Sequence, residues 1–363
     1  VYSELDGTDN TTILDWDGAD TVTYLDVDKK TRQQNIVKSG AVKLLWRVDW
    51  PMRWAFENID FEPAGKDHLS AGGSFDTGAP IARKVYNIRP PETLLYGDVG
   101  VKGGAGRISS SAGNAVTIDT VLSVYQPEIV RFLYAGTQPK AEFVVSFDLD
   151  VLKIYEDYDR IERMYYGVED VNEKRQARDR RIYELSQIQK IPTQMPQQVP
   201  FRHLCNLLQI RNGDVEATLL ALAEQLNLKA SANECSSQRL KIRAQCAATW
   251  IEIYAPISMR FRLRSVEQEA PEQPEAETGA LSELHRELKL LLNHSSATLS
   301  TRIYAIAKEQ QLEPRKMFSA VYRALIDAER GPRLADFILL SGADRIAPLL
   351  APYTDRRKRR QAL

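Results

Sequence analysis

The spacing of apolar residues changes character around Pro192, Pro196 and Pro200, and that change bounds what the chain can fold into. Beyond these prolines Phe201, Leu204, Leu207, Leu208 and Ile210 recur three and four residues apart, the repeat of one helix face. Asn212-Gly213 ends the stripe, and Asp214 is placed to cap the next helix, which carries Leu219, Leu220, Leu222 and Leu226. The spacing returns in Leu281, Leu284, Leu288, Leu291 and Leu292, in Ile303, Ile306 and Ala307, and in Phe318, Val321, Tyr322 and Leu325. This half is expected to bury its apolar residues as packed helices.

The first half reads differently. Residues 1–40 are polar with short alternating stretches such as Thr21-Val22-Thr23-Tyr24-Leu25, the pattern of small strands and turns. From Val42 to about Thr120, short apolar runs alternate with glycine turns: Asn58-Ile59-Asp60-Phe61 before Gly65, and Leu94-Leu95-Tyr96-Gly97 before Gly103-Gly104. Buried strands of an α/β sheet, with loops at their ends, have this texture. After Asp119 helical spacing begins, with Pro127 suited to the first turn of a helix and 148–166 amphipathic. Residues 170–188 read as a solvated helix face, and Val266 to Thr278, rich in Glu, Gln and Pro, as a flexible connection. A length of 363 residues suits two or three domains, and no internal repeat of fixed period occurs.

Composition excludes some classes. The net charge is −1 with 27% charged residues, which argues against coating nucleic acid by charge alone but leaves room for one RNA held by local basic patches. The tail Arg356-Arg357-Lys358-Arg359-Arg360 reads as a solvated terminus before it reads as an RNA contact. Cys205, Cys235 and Cys246 form no CxxC and none sits at metal spacing from a histidine, so no metal site and no disulfide framework is expected. Cys205 fits a core position, and scattered thiols fit a cytoplasmic protein. His203, His285 and His294 have no evident partners. No run of about 18 apolar residues suggests a membrane span. Val1-Tyr2-Ser3-Glu4-Leu5-Asp6 has neither a methionine nor a leader and reads as the continuation of a longer chain.

Three clusters carry chemistry. Trp46-Arg47-Val48-Asp49-Trp50-Pro51-Met52-Arg53-Trp54 holds three tryptophans. Trp46, Val48 and Trp50 alternate as the inner face of a strand would; alternatively the cluster shapes a pocket in which Asp49 and an indole face receive a cation. Gly65-Lys66-Asp67-His68, followed by Gly72-Gly73-Ser74, places an acid at a strand end and glycines at a helix start. That arrangement can hold a ribose and a phosphate, or be a capped tight turn. Gly103-Gly104-Ala105-Gly106-Arg107-Ile108-Ser109-Ser110-Ser111 can wrap a polyphosphate with N–H groups, hydroxyls and one permanent charge, or be an ordinary surface loop.

The string from Lys43 to Trp54, the string Phe61-Glu62-Pro63-Ala64-Gly65-Lys66-Asp67-His68 and the Gly72-Gly73-Ser74 turn together resemble the class I lysyl-tRNA synthetases. The third cluster is similar to the serine-rich form of that family's KMSKS loop. Gln126-Pro127-Glu128, Phe147-Asp148-Leu149-Asp150, Tyr158-Asp159-Arg160 and Arg330-Gly331-Pro332-Arg333-Leu334 continue the likeness. It is dense over about 42–166, looser over about 197–350, and poor over 1–40 and the acidic stretch.

The resemblance implies an α/β Rossmann-type catalytic domain, incomplete at 1–145 with a β-rich insertion at 1–40. A helical stem-contact segment at 146–195 and an all-α anticodon-binding domain at 196–363, with a flexible linker near 266–279, would follow. It implies ATP, accompanied by magnesium, and lysine and tRNA(Lys) as substrates, with neither DNA nor membrane as partner. Gly65, Asp67, His68 and Ile108 would bind ATP. Trp46, Asp49, Gly72, Gly73 and Ser74 would shape the lysine pocket. Arg107, Ser109, Ser110 and Ser111, with His68, would serve the adenylate chemistry. Three departures stand out: no HIGH-type motif is present, Ser110 and Ala112 occupy loop positions where lysine is frequent, and residues 1–40 hold no cysteine where some relatives carry them. A tRNA-binding paralogue without ligase activity is therefore the alternative, and another nucleotidyl transferase of the same fold the weaker third.

Overall fold

A computed structural model describes residues 1–102, 116–170, 173–225, 234–288 and 295–361. The chain packs as two units, Val1–Val99 with Pro139–Phe143, and Gly100–Gln138 with Val144–Leu363.

In the first unit β1 (Thr12–Trp16), β2 (Thr21–Leu25) and β3 (Thr31–Asn35) form an antiparallel sheet in that order. Val22 and Tyr24 point inward at 5% and 0% exposure, as the two-residue repeat of a half-buried strand requires. The buried Asp26 carboxylate is held by Arg32 at 3.0 Å. Helix α1 (Trp46–Glu57) follows, then β4 (Phe61–Gly65), the short α2 (Lys66–Leu69), α3 (Ser74–Lys84) and β5 (Glu92–Tyr96). Strands β4 and β5 pair in parallel, Phe61 opposite Glu92 through Gly65 opposite Tyr96.

Two expectations are corrected here. Trp46, Val48 and Trp50 lie on a helix, not on a strand. The period that governs the segment is four: along one face Trp46 stacks on Trp50 and Trp54 packs tilted against Trp50, and Asn58, in the left-handed conformation, ends the helix. The strands are also not fully buried, since Phe61, Leu94 and Tyr96 are exposed.

Strands β6 (Val99–Val101) and β7 (Phe143–Val145) pair as a two-stranded sheet where the chain crosses the division. The second unit is otherwise helical: α4 (Ile118–Leu122), α5 (Pro127–Gly136), α6 (Asp150–Tyr165), α7 (Glu173–Ser186), α8 (Phe201–Ile210), α9 (Val215–Gln225) and α10 (Glu234–Thr249). A π-helical turn, Trp250–Tyr254, precedes α11 (Glu275–Leu288), α12 (Ser296–Glu309), α13 (Pro314–Ile326), α14 (Leu334–Ser341) and α15 (Ala343–Gln361). Pro127 opens α5 as expected, Asn212 and Gly213 take positive φ after α8, and Asp214 accepts the Ala217 N–H at 2.9 Å. Leu281, Leu284, Ile303, Ile306, Val321 and Leu325 meet in one apolar core. No helix among the described residues is long and apolar enough to cross a membrane.

Around α6 the packing is aromatic and ionic. Tyr155 stacks on Phe201 at 3.8 Å, and its hydroxyl donates to the Val124 carbonyl at 2.9 Å. Arg243 reaches Asp159 through two hydrogen bonds, one of 2.8 Å, with both side chains almost wholly buried. Arg239 pairs with Glu162 at 2.6 and 3.0 Å, and the Tyr183 hydroxyl donates to the same carboxylate. The proline segment is anchored here, for Gln198 donates to Glu162 at 2.8 Å and Tyr166 to the Pro192 carbonyl at 2.7 Å.

The stretch 266–279 is also no loose connection throughout. Gln273, Glu277 and Thr278 are buried, and Arg323 bonds to both Gln273 and Glu277. His285, without a partner in the sequence reading, lies 2.9 Å from the Thr354 hydroxyl. Cys205 and Cys246 are buried free thiols, pushed up by that burial to about 12 and about 11.

Candidate active site

The first unit gathers most of the residues singled out above. Helix α1 holds Trp46 and Trp50 with ring centroids 5.4 Å apart and an interplanar angle of 20°. Trp46 is 44% exposed, whereas Trp50 and Trp54 enter a core with Ala64 and Ala82. The His68 ring lies 6.2 Å from Trp46 and 5.5 Å from Trp50, so the end of β4 meets the open end of the indole stack. Phe75, from α3, packs on Trp54 at 5.3 Å.

The two glycine motifs form one tight turn. Gly72 has φ +74°, which glycine adopts without strain, and its N–H donates to Asp76 at 3.0 Å. A Cβ on Gly73 would lie 2.6 Å from the His68 carbonyl oxygen and 2.8 Å from that of Ser70. Only a residue without a side chain lets the backbone fold back this closely over Asp67 and His68. Gly73 also leaves the N-terminus of α3 without a side-chain cap, and Ser74 opens that helix. The first-turn N–H groups there favour an anion.

Gly65 differs from Gly73. Its backbone, at φ −70° and ψ 166°, suits any residue, and a Cβ would meet only the Tyr96 ring at 3.6 Å. Nothing in the protein itself requires glycine there. Asp67, exposed in the first turn of α2, follows directly.

Asp49 is engaged within its own helix. It is buried on α1, and its Oδ2 accepts from Arg53 Nε at 2.9 Å, which raises the affinity of that guanidinium for its proton. Among the described residues its partner is thus a protein cation already. Arg107, Ile108, Ser109, Ser110 and Ser111 lie outside the described residues. In the second unit, Lys102 at the end of β6 pairs with Asp148 at 2.9 Å and with Asp150. The Ser146 hydroxyl, the Asp150 N–H and Lys102 together hold the Asp148 carboxyl down at about 2.

The residues that sequence reasoning left out are Phe75 and Tyr96. Phe75 had a signal, since it directly follows the Gly72-Gly73-Ser74 turn. Tyr96 had none, because its place under Gly65 follows from the pairing of β4 with β5.

A family model described as tRNA synthetases class I (K) matches residues 1–189, just over half of the chain. The chain belongs to this family. The match begins at residue 1, so the first 40 residues, where the motif likeness is poor, are part of it. This class I (K) synthetase chain is 41% identical over 348 residues to a lysine–tRNA ligase of Borrelia garinii and 42% identical to one of Borreliella burgdorferi. Each alignment covers 95% of the chain and 65% of the relative. A lysine–tRNA ligase of Thermococcus kodakarensis is 37% identical over 90% of the chain and 62% of its own length. The chain therefore spans a little under two thirds of these relatives.

Proposed function

We propose that the chain takes part in ATP-dependent ligation of L-lysine to tRNA(Lys) through a lysyl-adenylate, and that the turn from Gly65 to Ser74 holds the nucleotide. The observation that carries this reading is Gly65, a buried glycine that the fold does not demand, followed at once by Asp67. A ribose lying over Gly65 would use the space a Cβ would fill, and the Asp67 carboxylate would accept from its hydroxyls. The open N-terminus of α3 at Gly72, Gly73 and Ser74 would face the charge of the adenylate. His68 would stand between that group and the indole stack, close enough to donate a hydrogen bond to the phosphate or the carboxyl of lysine. The Trp46 face would line the aliphatic stem and ammonium of lysine. Asp49 would contribute through its Oδ1, since Oδ2 is engaged by Arg53.

The chemistry asked of these groups is positioning and charge stabilisation. The lysine carboxylate attacks the α-phosphate in line, pyrophosphate leaves, and the terminal ribose hydroxyl of the tRNA then displaces AMP from the acyl-adenylate. By the family resemblance, Arg107 to Ser111 would supply positive charge and hydroxyls to the departing pyrophosphate. Among the described residues no three His, Cys, Asp or Glu side chains gather as a metal site. Magnesium would arrive on the phosphates of ATP, as is usual for this ion. A cytoplasmic location belongs to the same proposal.

The test is lysine-dependent ATP–pyrophosphate exchange, with tRNA present, in the full-length gene product beside its Asp67→Ala variant. Exchange with lysine alone among amino acids, lost in the variant, supports the reading. A protein that binds tRNA but exchanges nothing belongs to the non-catalytic alternative.

A further inference from the structure

One edge of the three-stranded sheet in the first unit is left without a neighbour. β1 is paired on one side by β2 and on the other by no described strand. All of its residues are exposed, Ile13 at 59% and Trp16 at 56%. The register puts Trp16 opposite Val22 and Ile13 opposite Tyr24, and residues directly opposite share a face. Val22 and Tyr24 are buried, so the face that is covered over β2 continues, apolar and uncovered, over β1. Leu14, unpaired where the register shifts, is exposed as well. The opposite edge, β3, reads Thr31-Arg32-Gln33-Gln34-Asn35 and offers no large apolar side chain. A bare apolar edge invites pairing, and most sheets blunt theirs as β3 does.

Trp16 is a fixed platform. Its Nε1–H donates to the Ala19 carbonyl at 3.0 Å, across the turn that leads into β2. Asp17 builds that turn by accepting from the Ala19 and Thr21 N–H groups at 2.8 and 3.1 Å, bonds that hold its carboxyl below the usual range. From Val1 to Asp28 the chain carries eight acidic residues and no lysine, arginine or histidine, in a protein of net charge −1. Asp26 and Asp28 meet Arg32; the other six, Asp15 and Asp17 included, form no ion pair with any described residue. This charge sorts the occupants of the edge. A nucleic acid or an anionic bilayer would be repelled. A second copy laid along β1 would bring Asp15 and Asp17 against their own counterparts, and like charges across a strand pair destabilise it. A basic chain is attracted.

We propose that β1 receives a further strand from another protein, an extended segment of alternating apolar and basic residues. Its apolar side chains lie with Ile13 and Trp16, and its cations with Asp15 and with the turn at Asp17 and Asp20. Side chains of a strand alternate between faces, and Asp15, opposite Thr23, stands on the face away from Trp16. An alternating sequence therefore satisfies both faces at once. Main-chain hydrogen bonds to the free edge hold the segment, and the two faces select it. A lysine or arginine that reaches the indole adds cation–π attraction. β1 contributes no residue to the turn from Gly65 to Ser74, so this contact stands apart from the ligation reading.

The probe is a fluorescein-labelled peptide of alternating lysine and valine, titrated by anisotropy into the whole 363-residue chain and into the full-length gene product. Binding should saturate, weaken with salt, and be absent for the matching glutamate–valine peptide. Trp16→Ala should weaken it about thirtyfold, the loss expected of a central aromatic anchor. Asp15→Asn should weaken it about threefold, as for an exposed ion pair. Ile13→Thr keeps a β-branched side chain and the Trp16–Ala19 bond, and should weaken the peptide without lowering the melting temperature. Ile257→Ser, at an exposed apolar residue of the other unit, should change nothing. An analogue methylated at every backbone nitrogen has the same side chains but no main-chain donor, and should not bind. Equal binding by wild type and by the Trp16 and Ile13 variants overturns the proposal, as does equal binding of the methylated analogue or of the glutamate peptide. Dimerisation of the free chain that Trp16→Ala abolishes gives the edge to a second copy instead. A full-length product that ignores a peptide the 363-residue chain binds gives β1 to the rest of that product.

Discussion

Gly65 and Gly73 offer a sharp test, because the same substitution should act in opposite ways at two positions eight residues apart. At Gly65 the backbone is ordinary and a Cβ meets the Tyr96 ring at 3.6 Å, so alanine fits. Replacing glycine where the conformation is compatible stabilises by about 0.4–1 kcal/mol through the unfolded chain, so Gly65→Ala should be neutral to slightly stabilising. At Gly73 the Cβ would lie 2.6 Å from the His68 carbonyl oxygen, and backbone must move. Overpacking costs about 1–3 kcal/mol. Opening the turn also strains the Gly73 N–H bond to the Ser70 carbonyl, worth about 1 kcal/mol more. The loss for Gly73→Ala should thus be about 2–4 kcal/mol. Function should divide the other way. A methyl at Gly65 would displace the bound ribose by about 1 Å, and misplacement of that size costs about 100-fold in rate, or about 2.7 kcal/mol. Stability is read by tryptophan fluorescence during urea unfolding, since Trp46, Trp50 and Trp54 all lie in this unit. Function is read by the ATP dependence of pyrophosphate exchange in the full-length gene product. If Gly65→Ala proves as destabilising as Gly73→Ala, the glycine serves the fold. If the variant keeps native kcat/KM for ATP, no ligand lies over Gly65.

Two further predictions concern the helical unit. Arg243→Met should cost about 3–5 kcal/mol at neutral pH, because it leaves the Asp159 carboxylate buried without its partner, and the Asp159→Asn/Arg243→Met double variant should recover most of that. Burial holds the Asp159 carboxyl above its usual range and Arg243 pulls it back, so loss of Arg243 raises it further. The deficit should then be full above that raised value and shrink as pH falls through it; an equal deficit in urea melts at about pH 7 and about pH 5 would contradict this account. Burial also lowers the His203 imidazolium pKa, against the pull of Asp336, so the folded value lies below the unfolded one near 6.5. Its contribution to stability should be whole above about pH 6.5 and be lost as pH falls through the lowered value. His203→Gln should therefore lose less melting temperature than wild type between about pH 7.5 and about pH 5.5, and equal losses would assign the acid sensitivity to other groups.

The sequence by itself determined the helical second half, because a repeat near 3.6 residues can bury Leu281, Leu284, Ile303 and Leu325 in no other regular way. It also determined local punctuation, such as Pro127 at a helix start and the glycine turn before Ser74, where φ or steric room depends on neighbours in the chain. The tryptophan segment was legible as a cluster but not as a helix, since Trp46, Val48 and Trp50 satisfy a period of two, and only Trp54 extends the period of four. What tertiary structure alone decided are the pairings across long separations. Asp159 and Glu162 look like solvated charges on an amphipathic helix until Arg243 and Arg239 arrive from 84 and 77 residues away. Gln273 and Glu277 look like linker residues until Arg323 binds them. Arg202, Arg260, Arg330 and Arg333 make no basic run, yet the packing of α8 against α14 brings them around one cleft. Charge and polarity in a sequence report what a residue can do in water; which of these groups leaves water, and beside which partner, is set by contacts that the chain makes only once it has folded.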